Sequence, residues 1–147
     1  CAAIRDALAR QGVSGDRVEF LARVPLNKYF DLYNRVDIAL DSFPYGGGTT
    51  TLDALWMGVP VATAVGDTSV SRSAASVLEE VGLGDWIAPS LHAFADVVVA
   101  RASDRDALLR LRRELRPRLQ ASPVTDLPRF VRELEAAYRA MRSGDAG

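Results

Sequence analysis

The chain has 147 residues, of which 48% are hydrophobic, and this length and apolar content are typical of one globular domain. Its 18 basic and 19 acidic side chains give a formal net charge of −1 at pH 7, which argues against nucleic-acid binding. No apolar run approaches the ~20 residues that cross a bilayer, and no signal peptide is evident, so we expect a cytoplasmic protein. The single cysteine excludes an internal disulfide.

The first part of the chain predicts a helix, a strand and a second, short helix. Residues 2–10 have helical character, and residues 17–21 alternate between polar and apolar in the manner of a strand. The short helix is expected after Pro25 and through Tyr33. Because the chain starts with Cys1 and enters a helical pattern at once, we expect it to be part of a longer polypeptide.

The middle of the chain alternates strands with helices. Apolar strands are predicted over residues 36–40, 60–64 and 86–88, and helices over residues 49–58 and 71–81. This alternation predicts an α/β fold, a Rossmann-like parallel sheet with helices on both faces. Ligands of such folds bind at the carboxyl ends of the strands. The strand candidates number four, fewer than a complete Rossmann-like lobe has.

After the last strand we expect only helices, over residues 91–101, 104–120 and 126–141. Pro117 should kink or shorten the second of them. The last two carry apolar stripes, which we expect to pack into a core rather than to bind a partner. The stripes are Leu108, Leu111, Leu115 and Leu119, then Leu127, Phe130, Val131, Leu134, Tyr138 and Met141.

The densest basic cluster lies on the second of these helices, and we expect it to be solvated because acidic residues are interspersed. It consists of Arg110, Arg112, Arg113, Arg116 and Arg118. The one histidine, His92, is expected at the surface and has no second histidine to form a zinc site. One domain is expected over residues 1–142, followed by a disordered tail over residues 143–147.

A glycine-rich turn before the helix at residue 49 is the main indication of function. Gly47 and Gly48 lead directly into Thr49 and Thr50. The first N–H groups of a helix have no partner within it, and the helix dipole adds partial positive charge there, so the turn predicts an anion site. Asp53, one helical turn later, could accept hydrogen bonds from a sugar. Together these residues suggest a nucleoside diphosphate.

Simpler interpretations stay open. The turn could do no more than end a strand, and Asp53 could serve only the helix dipole. No lysine follows the glycines as in a P-loop, and the spacing does not fit the dinucleotide-binding fingerprint. The nearby acids Asp37, Asp41 and Asp53 form no obvious ligand set, so no metal is predicted.

The sequence around this turn resembles the O-linked N-acetylglucosamine transferases and their plant and bacterial relatives. The resemblance rests on residues 37–61 and, in the family's order, on shorter segments at 66–68, 71–72, 74–76 and 81–83. It covers residues 17–88 and is weaker onward to Tyr138. That family has a GT-B fold of two Rossmann-like lobes and uses no metal. The resemblance implies that this chain is most of the C-terminal, donor-binding lobe.

The resemblance also implies roles for single residues. Thr49 and Thr50 would hold the donor phosphates and stabilise the leaving group, and Asp53 would bind the ribose. The Val24 backbone would contact the uracil. Tyr29 would stack near the base, while a tyrosine with this pattern could equally fill the core. No cofactor is implied, and the donor would be a UDP-sugar.

Two positions depart from the enzymes that attach N-acetylglucosamine. Gly48 stands where they usually have a histidine, and Leu26 where they often have a lysine. Gly48 followed by three threonines is closer to the SPINDLY-like branch, which includes a protein O-fucosyltransferase with a guanine nucleotide donor. We therefore expect a protein O-glycosyltransferase, with UDP-N-acetylglucosamine favoured and GDP-fucose as the alternative.

The sequence leaves two alternative functions. A nucleotide-sugar 2-epimerase of the same architecture is disfavoured, because its acidic and histidine residues do not appear here. A non-catalytic nucleotide-binding or interaction module is the other. The expected partners are a nucleotide-sugar donor, an acceptor protein, an N-terminal catalytic lobe outside this sequence and possible helical repeats, with no nucleic acid and no membrane. Without that lobe the chain is expected to be inactive.

Overall fold

The computed structural model describes residues 2–144. Within this range the helices are α1 (Ala2–Arg10), α2 (Leu26–Leu32), α3 (Thr49–Trp56), α4 (Ser73–Glu80), α5 (Leu91–Ala102), α6 (Arg105–Ala121) and α7 (Leu127–Ser143). The strands are β1 (Ala39–Leu40), β2 (Val61–Ala64) and β3 (Ile87–Ala88), and 3₁₀ turns lie at Gly15–Arg17, Tyr33–Arg35, Val70–Arg72, Gly84–Trp86 and Pro123–Thr125. The expectations for Cys1 and for residues 145–147 fall outside the described residues. None of the described helices combines the length and the apolar character of a membrane span.

The strands form a parallel sheet in the order β1, β2, β3. Ala39 lies opposite Val61 and Thr63 opposite Ile87, so β2 is the central strand. All of β2 is buried, and α3, α4 and α5 pack against it. Because parallel strands must be joined by crossovers, α3 lies between β1 and β2 in the chain and α4 between β2 and β3. The predicted α/β fold with a Rossmann-like parallel sheet is confirmed.

The strand predicted over residues 17–21 is wrong. Arg17 ends a 3₁₀ turn, and residues 18–21 pair with no strand within the described part of the chain. A strand forms where its backbone N–H and C=O groups meet those of a neighbour, and alternating side chains do not supply that neighbour. The same requirement shortens the strand predicted over residues 36–40, because only Ala39 and Leu40 lie beside β2.

The predicted helices are all present, with boundaries shifted by a few residues. Helix α6 continues past Pro117 to Ala121, so the proline does not shorten it. Proline removes one bond to the carbonyl four residues earlier, that of Arg113. Arg113 is exposed, so solvent can replace the missing bond.

The core lies between the sheet and helices α3, α4 and α6. The stripe of α6 packs as predicted: Leu115 and Leu119 are buried, and Leu108 and Leu111 pack against the same cluster. Fully burying one leucine side chain stabilises the fold by about 1.5–3 kcal/mol relative to leaving it exposed. Other buried members are Ala54, Leu55, Val59, Val61, Ala62, Leu78, Val81, Leu83 and Trp86.

The stripe of α7 does not pack into this core, which corrects the prediction for it. Its side chains range from 40% exposed at Leu134 to 69% at Leu127, and no residue of α7 is buried. Helical spacing gives a helix an apolar side, but burial also needs a facing surface. Ser143, expected in the tail, is the last residue of α7, and Gly144 follows it with φ +78°.

Two arginines of the basic cluster are not simply solvated, contrary to expectation. Arg112 donates to the carbonyls of Val36 and Tyr33 at 2.7 and 2.8 Å. Arg116 donates to the carbonyl of Trp56 at 2.6 Å. Its guanidinium also lies 5.1 Å from the centre of the Trp56 ring. Charged side chains of α6 therefore bond to the segment before β1 and to the last residue of α3.

Gly58 allows α3 and α6 to approach closely. Its φ is +78°, and a Cβ at this position would lie 2.4 Å from the carbonyl oxygen of Arg112. Any other residue would be strained by the left-handed backbone and would push the two helices apart. The glycine that ends α3 thus also brings its end against α6.

Candidate functional site

The glycine turn lies between the carboxyl end of β1 and the start of α3. Asp41, the first residue after β1, holds it in place. The Gly47 N–H donates to Asp41 Oδ1 at 2.7 Å, and the buried Thr63 hydroxyl donates to Asp41 Oδ2 at 2.8 Å. One carboxylate therefore ties the turn to the central strand.

Close contacts disfavour a side chain at two of the three glycines. A Cβ at Gly47 would lie 2.7 Å from Thr50 Oγ1, and one at Gly46 would lie 3.1 Å from both Asp41 Oδ2 and the carbonyl oxygen of Val70. The Gly46 N–H also donates to that carbonyl at 3.1 Å. A Cβ at Gly48, in contrast, would meet nothing within 4 Å in residues 2–144.

The loop after β2, residues 66–71, contacts the glycine turn. Thr68 and Ser71 bond to each other through backbone and side-chain groups, including Ser71 Oγ to the Thr68 carbonyl at 2.9 Å. Ser71 is buried, and a Cβ at Gly66 would lie 2.5 Å from its hydroxyl oxygen. Because Val70 in this loop accepts the Gly46 N–H, the loop after β2 fixes the turn after β1.

The amino terminus of α3 is open. Its N-cap, Gly48, makes no side-chain cap, and within the described chain the N–H groups of Thr49 and Thr50 have no acceptor. Both threonines are exposed. Thr51 differs, because it is buried and donates to the Gly47 carbonyl at 3.1 Å. Free N–H groups, the dipole of α3 and two hydroxyls thus meet where an anion can reach them.

Asp53 lies one turn further along α3, beside two tyrosines. The Tyr29 hydroxyl donates to Asp53 Oδ2 at 3.2 Å and lies 2.7 Å from the Tyr33 hydroxyl. Burial, then the hydrogen bonds to Tyr33 and Asp53, raises the pKa of the Tyr29 hydroxyl above its ordinary value. Asp53 is the fifth residue of α3 and lies beyond its first turn, which weakens the interpretation that it serves only the helix dipole.

Tyr29 also lines an open groove of about 530 Å³ on the side of α2. Val24 lies in the same groove, so the two residues expected near the base are together. The other lining residues are Leu21, Ala22, Arg23, Leu26 and Leu32. The groove thus combines apolar and polar lining, and one of its residues, Tyr29, also bonds to the carboxylate of Asp53.

His92 is exposed in the first turn of α5, as expected. No group of three His, Cys, Asp or Glu side chains among residues 2–144 is arranged to hold a metal ion.

Sequence reasoning missed the residues that build the turn. From the sequence, Asp41 is a candidate only for metal binding, and Thr63 is only part of a predicted strand. Both stand at carboxyl ends of neighbouring parallel strands, the edge where ligands of such sheets bind. A polar residue at each of these ends was the signal that could have identified them.

The fold and site define a Rossmann-like lobe of the GT-B class, and three comparisons place it more closely. A family model described as "Glycosyl transferase family 41" matches residues 2–134. The chain therefore belongs to glycosyltransferase family 41. The O-GlcNAc transferase of Thermobaculum terrenum, solved as a lysine-to-methionine mutant, matches with a TM-score of 0.86 and 38% identity, covering 95% of this chain and 27% of that one.

Two plant relatives are similar over nearly the whole chain. A protein of Oryza sativa subsp. japonica, described as a probable UDP-N-acetylglucosamine–peptide N-acetylglucosaminyltransferase SPINDLY, is 41% identical over 91% of this chain and 15% of its own. An Arabidopsis thaliana protein with the same description but the name SEC is 32% identical over 93% of this chain and 14% of its own. The chain thus spans about one seventh of the length of these relatives.

Proposed function

We propose that this chain is the donor-binding part of a metal-independent protein O-glycosyltransferase. The reaction would move N-acetylglucosamine from UDP to serine or threonine of an acceptor protein. The observation that carries the proposal is the open amino terminus of α3, where N–H groups without an acceptor among residues 2–144 lie beside the exposed hydroxyls of Thr49 and Thr50. The names of the plant relatives support the choice of donor and acceptor.

The proposed role of Thr49 and Thr50 follows from the charge of the leaving group. As the glycosidic bond breaks, negative charge grows on the UDP diphosphate, and a helix amino terminus can stabilise it. One preorganised donor to a developing anion is worth about 3 kcal/mol, whereas a helix dipole gives about 0.3–2 kcal/mol. Specific N–H and O–H donors therefore supply more of this stabilisation than the dipole.

The nucleoside would extend from α3 towards α2. Asp53 lies one helical turn after Thr49, and its carboxylate would accept from the ribose hydroxyls. The groove beside Val24 and Tyr29 would receive the base. The diphosphate would then bind at the turn, the ribose beside Asp53 and the base in the groove.

The remaining parts of the reaction are proposed to come from other parts of the enzyme. On the grounds of the resemblance, the acceptor site and the catalytic base are assigned to a second lobe. Helical repeats are a further partner on the same grounds of resemblance. A GDP-fucose donor is the second candidate, favoured by the resemblance of Gly48 and the threonines after it to the SPINDLY-like branch.

Calorimetric titration of the chain with UDP and GDP, with and without a divalent ion, tests the proposal. We expect metal-independent binding of UDP, weakened about tenfold in Thr50→Ala because a hydrogen bond to a charged phosphate is lost. Ser76→Ala is the matched control, since this exposed hydroxyl donates only to its own helix at Arg72. Tighter binding of GDP would assign the fucose donor, and no binding of either nucleotide by the folded chain would contradict the donor-binding role.

A further inference from the structure

We infer that the hydroxyls of Tyr33 and Tyr29 form a hydrogen-bond chain that positions the Asp53 carboxylate for the ribose of the donor. The inference rests on the proposed nucleotide-binding function and adds two positioning residues to it. Neither hydroxyl needs to touch the ligand. Their effect would pass through Asp53.

Counting protons fixes the direction of this chain. A tyrosine hydroxyl has one proton to donate. The Tyr29 proton goes to Asp53 Oδ2 at 3.2 Å, so the 2.7 Å contact between the hydroxyls requires Tyr33 to donate to Tyr29. A donor that is itself accepting a hydrogen bond is polarised and becomes a stronger donor. Tyr33 therefore strengthens the bond that Tyr29 makes to the carboxylate.

The arrangement divides the two oxygens of Asp53 between protein and ligand. Oδ2 accepts the Tyr29 proton, whereas no donor among residues 2–144 reaches Oδ1. Fixing one oxygen restricts rotation of the carboxylate and leaves the other to accept from a ribose hydroxyl. Because the carboxylate is already ordered, less side-chain entropy is lost when the nucleotide binds.

Tyr33 gives the chain a rigid origin. Its ring packs against the core, and its carbonyl accepts from Arg112 of α6 at 2.8 Å. The rings of Tyr29 and Tyr33 meet edge to face, with centres 5.4 Å apart and planes at 88°. A tyrosine hydroxyl is already protonated at neutral pH, and burial raises the pKa of Tyr29 further, so this hydroxyl remains a donor. Arg112 of α6 is thus linked through Tyr33 and Tyr29 to the Asp53 carboxylate on α3.

A purely structural role would tie α2 to α3 without regard to the ligand, and the test separates the two. Tyr29→Phe and Tyr33→Phe keep the rings and remove the protons. Each is titrated with the preferred diphosphate, UDP or GDP, and with its 2′-deoxy and 3′-deoxy forms. Tyr138→Phe, which removes an exposed tyrosine hydroxyl from α7, is the control.

We expect Tyr29→Phe to weaken binding of the full nucleotide about fivefold and Tyr33→Phe to weaken it less. Binding of the deoxy form that lacks the hydroxyl held by Asp53 should be unchanged by either variant. Equal losses for all three ligands, or no loss for any, would overturn the inference while leaving the proposed function intact. A wild-type chain that binds neither diphosphate would overturn both.

Discussion

Helices α6 and α7 are built alike but are buried differently. Each has 17 residues, and each follows an aspartate, Asp104 or Asp126, whose carboxylate accepts the N–H of the third helical residue. Each also carries an apolar stripe. Yet Leu115 and Leu119 of α6 are buried, whereas no residue of α7 is. The spacing of apolar residues shows which side of a helix is apolar, but not what covers it.

The charged residues of the two helices differ in the same way. In α6, Arg112 and Arg116 reach carbonyls of other segments. In α7, Arg129 and Arg139 pair with glutamates of their own helix, Glu133 and Glu135. Such exposed pairs four residues apart contribute only about 0.3–0.5 kcal/mol each. Both the apolar and the charged side chains of α6 therefore contact other segments. In α7 the apolar side chains are not buried, and these two arginines pair only within the helix.

The largest expected effect comes from breaking the buried side of α6. Leu115→Ala removes a side chain that is 0% exposed at the centre of the core. Lost burial and the resulting cavity should lower the free energy of unfolding by about 3 kcal/mol. Urea denaturation measures it, with Leu109→Ala as the control because Leu109 is 53% exposed on the same helix. Equal losses for the two variants would show that the stripe of α6 does not form the core.

The polar attachment of α6 should contribute less. Arg112→Met keeps most of the side-chain length but removes the donors to the Val36 and Tyr33 carbonyls. Charged donors are worth about 1.5–3 kcal/mol per hydrogen bond, and partial exposure reduces this, so we expect a total loss of about 2 kcal/mol. Arg139→Met, which loses only a pair within α7, is the control for thermal unfolding. A smaller loss for Arg112→Met than for the control would contradict its role as a clamp.

What the sequence could predict was local. The turn at Gly47 and the helix that starts at Thr49 follow from glycines next to helix-forming residues. The boundary before the next strand follows from Pro60, because the residue before a proline is disfavoured in the helical conformation. These constraints act within a few residues. They gave the order of strands and helices and the expectation of an anion site.

What it could not predict depends on segments far apart in the chain. Asp41 meets Thr63 across 22 residues, and Tyr29 meets Asp53 across 24. The partners of Arg112 are backbone carbonyls, which every residue has, so no sequence pattern points to them. Pairing and packing in three dimensions decide such contacts. The alternating side chains of residues 17–21 likewise predict a strand, but they cannot show whether another strand lies beside it.

The smallest expected effect completes the comparison on α7. Leu134→Gln places an amide in the middle of the exposed stripe, where Leu134 is already 40% exposed. Leucine and glutamine have similar helix propensities, and the change buries no polar group, so the free energy of unfolding should change by less than about 0.5 kcal/mol. Leu115→Gln, the same change in α6, should be severely destabilising because its amide would be buried without a partner. A loss of about 2 kcal/mol or more for Leu134→Gln, measured in urea, would mean that the stripe of α7 packs against another part of the chain in solution. The two helices would then be alike in burial as well as in pattern.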